Sequence, residues 1–523
     1  MISDLKDYPS GESIDRTCEV CIVGAGTAGL FLAQSFQETG IKVIVLELGG
    51  TSILDAEASF KKPKFSNHIY QGALKGRVSG LGGTSSKWGG QMIGLSESDF
   101  NLHEGVSDKV TWPIAKEDLR PYYKKVASVL GFDNPKFSFK KTNTSKLFKK
   151  SLVSKLFDIR VSTWIPFSKR NFANAFRNVI EKSAMIEIWV NSRLSSFENA
   201  TWEDERLTKL TFSGPDGRTL LISSDHFVLT MGAIETTKYV REILSVRGVE
   251  RSTGNPFCDH ISSSVGRLEL KNRNAFLTAF SPFFVRNIMK TIRFEFLYKS
   301  QVDRQTASAF VHFVTEQKKG SALEIIRSFA RKLQGEPVQI SLRDIHLGVF
   351  LKDIISILFW RLFRGRLILN HDGEVEVLVD IEQRPDPDNR ILVQESEIDL
   401  LWGVTENDRH AITIVAQSFR DSWNASPELS DIGTILLEGD QKLINYYDVY
   451  HPTGSLPFGI HPDSSFLDPN LRVWCTNNVF VSSTAVFPTG GSANPGFTHL
   501  ALTQRLSEHL QSKFQNTAAS SDR

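Results

Sequence analysis

Six residues, Gly24-Ala25-Gly26-Thr27-Ala28-Gly29, constrain the fold of this chain more than any others. They follow an apolar run, Cys18 to Val23. They precede Leu30, Ala33 and Phe36, which recur at helical spacing. Gly40 suits the position just past a helix end, and Lys42 to Leu46 is a second apolar run closed by Glu47. Strand, Gly-rich turn, helix and strand make one βαβ unit, so a parallel sheet is expected. In such a unit the first glycine permits the tight turn. The second lets backbone approach a pyrophosphate, and the third lets helix pack on strand. The helix N-terminus offers N–H donors and partial positive charge to the phosphates. Glu47, about 20 residues on, stands where a carboxylate takes ribose hydroxyls. Gly24, Gly26, Thr27, Ala28, Gly29 and Glu47 are therefore candidate cofactor contacts. The motif alone does not separate FAD from NAD. Its N-terminal place, with nucleotide-fold texture returning at the far end, favours FAD.

A chain of 523 residues exceeds one hydrophobic core, and two or three lobes are expected. The net charge of +2 gives no concentrated basic face, so no nucleic-acid partner is expected. The four cysteines, Cys18, Cys21, Cys258 and Cys475, are too few for a secreted disulfide framework. Cys18 and Cys21 read as C-x-x-C. A strand turns side chains three apart to opposite faces, so a redox pair is not expected. No metal site is read from the sequence. Met1 to Arg16 has no apolar core of a secretory signal, and a cytoplasmic location is the expectation.

Residues 1–261 read as the first part of a dinucleotide-binding domain, with a basic surface excursion at 136–155. Residues 262–440 read as an inserted substrate lobe, with antiparallel strands such as Ser263 to Leu270 and Val375 to Ile381. Residues 441–523 return to the first domain and end in a helix. The fold class expected is α/β, a Rossmann-like domain carrying an inserted antiparallel-sheet domain. Ile345 to Phe363 is apolar, interrupted by Lys352 and Arg361. It reads as a buried or lid helix rather than an interfacial one, so membrane contact is not expected.

Residues 80–94 form a second glycine-dense segment. Gly82, Gly83, Gly89 and Gly90 let backbone lie against a flat ligand, Thr84 and Ser85 supply hydroxyls, and Trp88 supplies a flat apolar surface. With these segments in view, the chain resembles the glucose-methanol-choline (GMC) oxidoreductase family, in its pyranose-oxidase-like branch. Gly24 to Glu47 is similar to the family's FAD fingerprint, and Gly80 to Gly90 to its flavin-facing loop. Met231 to Thr236 is similar to its second nucleotide-contact segment, and Val449 to Leu510 to its C-terminal catalytic block. Asn255 to His260 also resembles an Asp-His island of the family. The middle lobe is matched thinly, around Glu382 to Pro385. The resemblance adds Leu194, Gly232 and Pro495 to the cofactor contacts. It implies oxidation of the CH–OH group of an alcohol, with a sugar or glycoside as the expected substrate. Lys87 stands where some relatives attach the flavin through His, so non-covalent FAD is expected.

The family's reaction needs a base beside the flavin, to take the hydroxyl proton as hydride passes to N5. His451 falls where that base falls, and a histidine suits the task. Asn494 falls at the partner position, where an amide orients the substrate oxygen. Asn before Pro is equally an ordinary helix start, with Asn494 as cap, and both roles stay open. His461 is an alternative loop histidine, His499 reads as packing, and His260 as structural. Gln383 and Arg384 are candidate substrate contacts. The chain departs from the family at Gly454 to Gly459, and at Ser482-Ser483, where relatives carry a cofactor-contacting Asp. The same motifs also fit a redox-neutral lyase or an inactive flavin-binding partner. The electron acceptor and the oligomeric state leave no mark in the sequence.

Overall fold

Ser13–Val23 (β1), Thr27–Gln34 (α1) and Val43–Leu46 (β2) build the expected βαβ unit. β1 alternates in exposure over its first half and is wholly buried from Val20 to Val23. Only its second half is covered on both faces, as in a parallel sheet. The computed structural model describes all residues except 101–111, 134–138, 250–255, 316–321, 334–346, 369–372, 396, 440–444 and 522–523. Phe157–Trp164 (β3), Ile186–Val190 (β4), Arg206–Ser213 (β5), Thr219–Leu229 (β6) and Gly232–Val246 (α2) follow. The first sheet runs Ile2–Asp4, β4, β2, β1, β6, β5. It is parallel up to β6, and β5 returns antiparallel. Val479–Val481 adds to β6 in parallel, which brings the C-terminal block back to the first sheet. None of the four cysteines is in a disulfide, and burial pushes the Cys18 thiol up to about 12, consistent with inert packing.

The second sheet uses His260–Leu270 (β7), Ile288–Phe296 (β8), Ala309–Thr315 (β9), Val375–Glu382 (β10) and Gly433–Leu437 (β11). Its order is β11, β7, β10, β9, β8, β3, then Gln91–Met92, antiparallel throughout. Alternation gives it two different faces. On one, Phe294 and Phe313 pack in tilted and edge contacts with Phe419 and Trp423 of the helix Glu406–Asn424. The other face is polar and carries Ser162, Thr291, Arg293 and Asp380.

Three of the expected segments take a more definite shape here. Sheet membership crosses the boundaries at 261 and 440, because β3, Gln91–Met92 and Tyr446–Asp448 all join the second sheet. Of the segment 136–155, the residues from 139 on are described and anchored to the second lobe. Its helix Asn143–Lys150 buries Phe148 in the core of the second lobe, and only its lysine side is exposed. Ala322–Leu333 (α3) and Leu347–Phe363 (α4) pack together, yet α4 is not buried. It turns Ile355, Leu362 and Phe363 outward. Ile345 lies outside the described residues. Among them, no helix is long and apolar enough to cross a membrane. The chain ends in the helix Gly496–Ser521 (α5).

Candidate active site

The two Gly-rich segments meet backbone to backbone. Gly82 N donates to Ala25 O at 2.9 Å, and the hydroxyls of Thr27 and Thr84 lie 3.2 Å apart. The Glu47 carboxylate fastens this junction. Its Oε2 accepts from Ala25 N at 2.9 Å, and its Oε1 from Gly49 N at 3.0 Å and Gly80 N at 2.8 Å. Burial raises the Glu47 pKa and these three donors oppose the rise. Glu47 thus bolts three loops together and keeps further lone pairs for a ligand in the cavity it lines.

That cavity has a volume of about 640 Å³, within the usual range for a cofactor site. Of the expected contacts, Gly24, Gly26, Thr27, Ala28, Glu47, Gly83, Thr84, Trp88, Gly89, Gly90, Leu194, Gly232 and Pro495 line it. Gly29, Gly82 and Ser85 do not, and they shape the wall from behind. Gly29 holds α1 against the turn, where a Cβ would meet Gly24 O at 1.8 Å. Gly82 sits at φ +99° against Asn171. Ser85 Oγ donates to Gly82 O at 2.6 Å and accepts from Phe172 N at 3.0 Å. Phe60, Arg77, Gln91 and Trp164 also line it, and the sequence pattern did not single them out.

The residues present fit a dinucleotide. A Cβ on Gly26 would meet nothing nearer than Gly83 Cα at 4.0 Å, so protein packing does not demand glycine there. Bare backbone at that point serves a group lying in the cavity. The start of α1 also has no side-chain cap, which leaves its first N–H groups for phosphate oxygens. Lys87 pairs with Asp55. Acid precipitation of the purified holoprotein is therefore expected to release all of its flavin into the supernatant. Flavin retained on the denatured chain would overturn the non-covalent reading.

His451 and Asn494 line the same cavity. His451 follows Tyr450, which sits at φ +65°, and its backbone N donates to Asp259 Oδ1 at 2.8 Å. Asp259 also accepts from His260 N at 2.6 Å and, through Oδ2, from the Tyr70 hydroxyl at 2.7 Å. Burial pushes Asp259 up to about 7, and the Tyr70 hydrogen bond opposes that rise. The tautomers follow from the partners. His260 Nε2 lies 2.6 Å from Gly491 O, and a carbonyl only accepts, so Nε2 carries the proton. His260 Nδ1 is then an acceptor, and His451 Nδ1, 3.1 Å away, donates to it. His451 Nε2 keeps its lone pair for the cavity. Burial first, and the neighbouring His260 second, lower His451 to about 3. The imidazole is therefore neutral, and able to accept a proton, across the physiological range.

Glu382 Oε1 accepts from Gly491 N at 2.8 Å, and Ser308 Oγ donates to Ser492 Oγ at 2.8 Å. The second lobe thereby holds the loop that runs on to Asn494. α5 starts at Gly496, two residues past Asn494. His461 is exposed. His499 lines the cavity edge from α5, and burial lowers it to about 4. Ser482 lines the cavity, and its hydroxyl pairs with Thr503 Oγ1 at 2.8 Å. Gln383 and Arg384 are not in the cavity wall. Gln383 accepts from Trp402 Nε1 at 2.8 Å and donates to Gly403 O at 2.8 Å, and Arg384 donates to Thr306 O at 2.5 Å. Both tie loops of the second lobe.

Residues 379–503 match the family described as GMC oxidoreductase, and residues 17–60 match an FAD binding domain. No curated protein sequence matches the chain. Among solved structures, the chain is similar to pyridoxine 4-oxidase from Mesorbium loti, with a TM-score of 0.58 and 16% identity over 94% of this chain and 99% of that one. It is similar to a formate oxidase variant from Aspergillus oryzae RIB40, with a TM-score of 0.58 and 16% identity over 97% of this chain and 100% of that one. At such identities the likeness is one of fold. FAD is the cofactor that the matched domain and the cradle call for. The C-terminal block thus matches the GMC oxidoreductase family over residues 379–503, and the chain has an α/β fold whose first lobe matches an FAD-binding domain.

Proposed function

We propose that the chain oxidises the CH–OH group of a sugar or glycoside. His451 is the base, and Asn494 orients the substrate oxygen. The observation that carries this reading is the proton order from Gly491 O through His260 to His451, which leaves a lone pair on His451 Nε2 at the cavity. Bound FAD supplies the hydride acceptor. His451 Nε2 takes the hydroxyl proton, His260 holds the ring in the accepting tautomer, and Asp259 fixes the backbone of both. The sugar reading is supported by the polar sheet face beside Gln91. Gln91 Oε1 accepts from Arg293 at 3.1 Å, Gln91 Nε2 donates to Ser162 Oγ at 2.7 Å, and Arg293 pairs with Asp380 at 3.1 Å. Such a face answers a hydroxyl-rich ligand, and Trp164 offers an aromatic wall at the cavity.

Anaerobic mixing of the holoprotein with a panel of sugars, glycosides and simple alcohols tests this. Bleaching of the flavin by a sugar is expected. Turnover of a cyanohydrin with no bleaching by any alcohol identifies a lyase instead. A base active when neutral loses activity only as pH falls through its own pKa. With His451 lowered to about 3, kcat/KM is expected to stay level well below pH 6.5, the ordinary histidine value. His260→Ala removes the acceptor at His451 Nδ1. It is expected to cost about 10- to 100-fold in kcat, as for a lost buried hydrogen bond. It also removes a neighbour that lowers His451, so the acid limb moves up in pH. An acid limb at the same pH in both proteins would argue against the pair.

A further inference from the structure

Leu351, Ile355, Leu358, Phe359, Leu362 and Phe363 of α4 recur at three- and four-residue spacing, so they share one helix face. That face points to solvent. Ile355 is 67% exposed, Leu362 73% and Phe363 74%, and α3 adds Phe329 at 58%. A continuous apolar stripe of this kind marks a surface that meets another phase or partner. Its charge setting narrows the occupant. Residues 322–366 carry eight basic and four acidic side chains, a net of +4. The whole chain is +2, so the remainder is net −2. Lys352 and Arg364 stand exposed beside the stripe, and Arg331 and Lys332 stand exposed at the end of α3.

We infer that α3 and α4 seat this chain on an anionic lipid surface. The stripe enters the acyl boundary while the basic side chains meet headgroup phosphates. A second copy docked through the same stripe would set two positive segments against each other, which charge disfavours. With 17 residues, and with Lys352, Asp353 and Arg361 among them, α4 lies along the surface rather than across it.

Sedimentation of the holoprotein with vesicles tests the inference, using phosphatidylcholine alone and phosphatidylcholine mixed with phosphatidylglycerol. Binding to the mixed vesicles is expected to exceed binding to the neutral ones by more than about tenfold, and to weaken as salt is raised. The double substitution Leu362→Glu and Phe363→Glu is expected to abolish binding, with flavin absorbance and thermal midpoint unchanged. Lys352→Glu with Arg364→Glu is expected to remove the preference for phosphatidylglycerol. No binding to either vesicle overturns the inference. So does a dimer, seen by light scattering, that dissociates on the Leu362/Phe363 change, since a second copy then covers the stripe.

Discussion

His451→Ala is expected to lower the rate of flavin reduction by about 10²- to 10⁴-fold, the usual contribution of a positioned general base. The protein should still fold and hold FAD. The bond from His451 N to Asp259 is made by backbone and survives the change. The cofactor cradle is built by Glu47 and the two Gly-rich segments, which lie elsewhere in the chain. What is lost is the ring nitrogen at the cavity, and with it the acceptor for the substrate's hydroxyl proton. Stopped-flow absorbance under anaerobic conditions measures the reduction step directly, apart from any later acceptor. His461→Ala is the control. That histidine also stands before a proline in a nearby loop, but its exposed position predicts an unchanged rate. An unchanged rate in His451→Ala, or a large loss in His461→Ala, would remove His451 from the role of base. Asn494→Ala should cost less than His451→Ala, because the amide orients the substrate oxygen and moves no proton.

How far such a site can be read from sequence depends on how local its causes are. The βαβ unit was legible because strand, turn and helix signals lie within one short stretch. Glu47 was legible as a residue at the right offset. Its bonds to Ala25, Gly49 and Gly80 were not, since they depend on how three loops fold together. Gly29, Gly82 and Ser85 show a similar limit. Spacing identifies a glycine or serine that the turn needs, but not whether it faces the ligand or supports the wall. His260 and His451 are 191 residues apart, and nothing along the chain announces that their rings meet. The Asp259-His260 island was visible as a resemblance, while its use needed the loop carrying Gly491 to be in place. The second sheet borrows β3 and Gln91–Met92, because sheet partners are chosen in space and a lobe boundary drawn along the chain cannot follow them. For α4, periodicity revealed an apolar face but not its direction. A stripe turned inward and a stripe turned outward have the same sequence.

The second large effect separates two glycines of one motif. Gly29→Ala is expected to yield protein with little or no bound flavin and a lowered thermal midpoint. Its Cβ would lie 1.8 Å from Gly24 O and 2.9 Å from Thr230 Oγ1, so either the turn or α1 must shift. Thr230 Oγ1 donates to Val23 O at 2.9 Å and Gly24 O at 2.7 Å, which pins the turn from the neighbouring strand. Gly24 itself, at φ +109°, has no room to yield towards Thr230. The shift therefore falls on the start of α1, whose N–H groups are the ones left for phosphate. Gly26→Ala behaves differently. The added methyl meets no protein atom closer than 4.0 Å, so the thermal midpoint of the flavin-free protein should not change. If the pyrophosphate of FAD passes over Gly26, the methyl occupies its path and FAD affinity should fall, by about tenfold or more for a clash worth some 1.4 kcal/mol. Flavin titration and melting of the flavin-free forms distinguish the cases. Loss of FAD affinity without loss of apoprotein stability in Gly26→Ala, together with both losses in Gly29→Ala, is the expected pattern. Equal FAD affinity for Gly26→Ala and the parent would mean that the cofactor does not cross that turn, and the assignment of the whole cradle would fall with it.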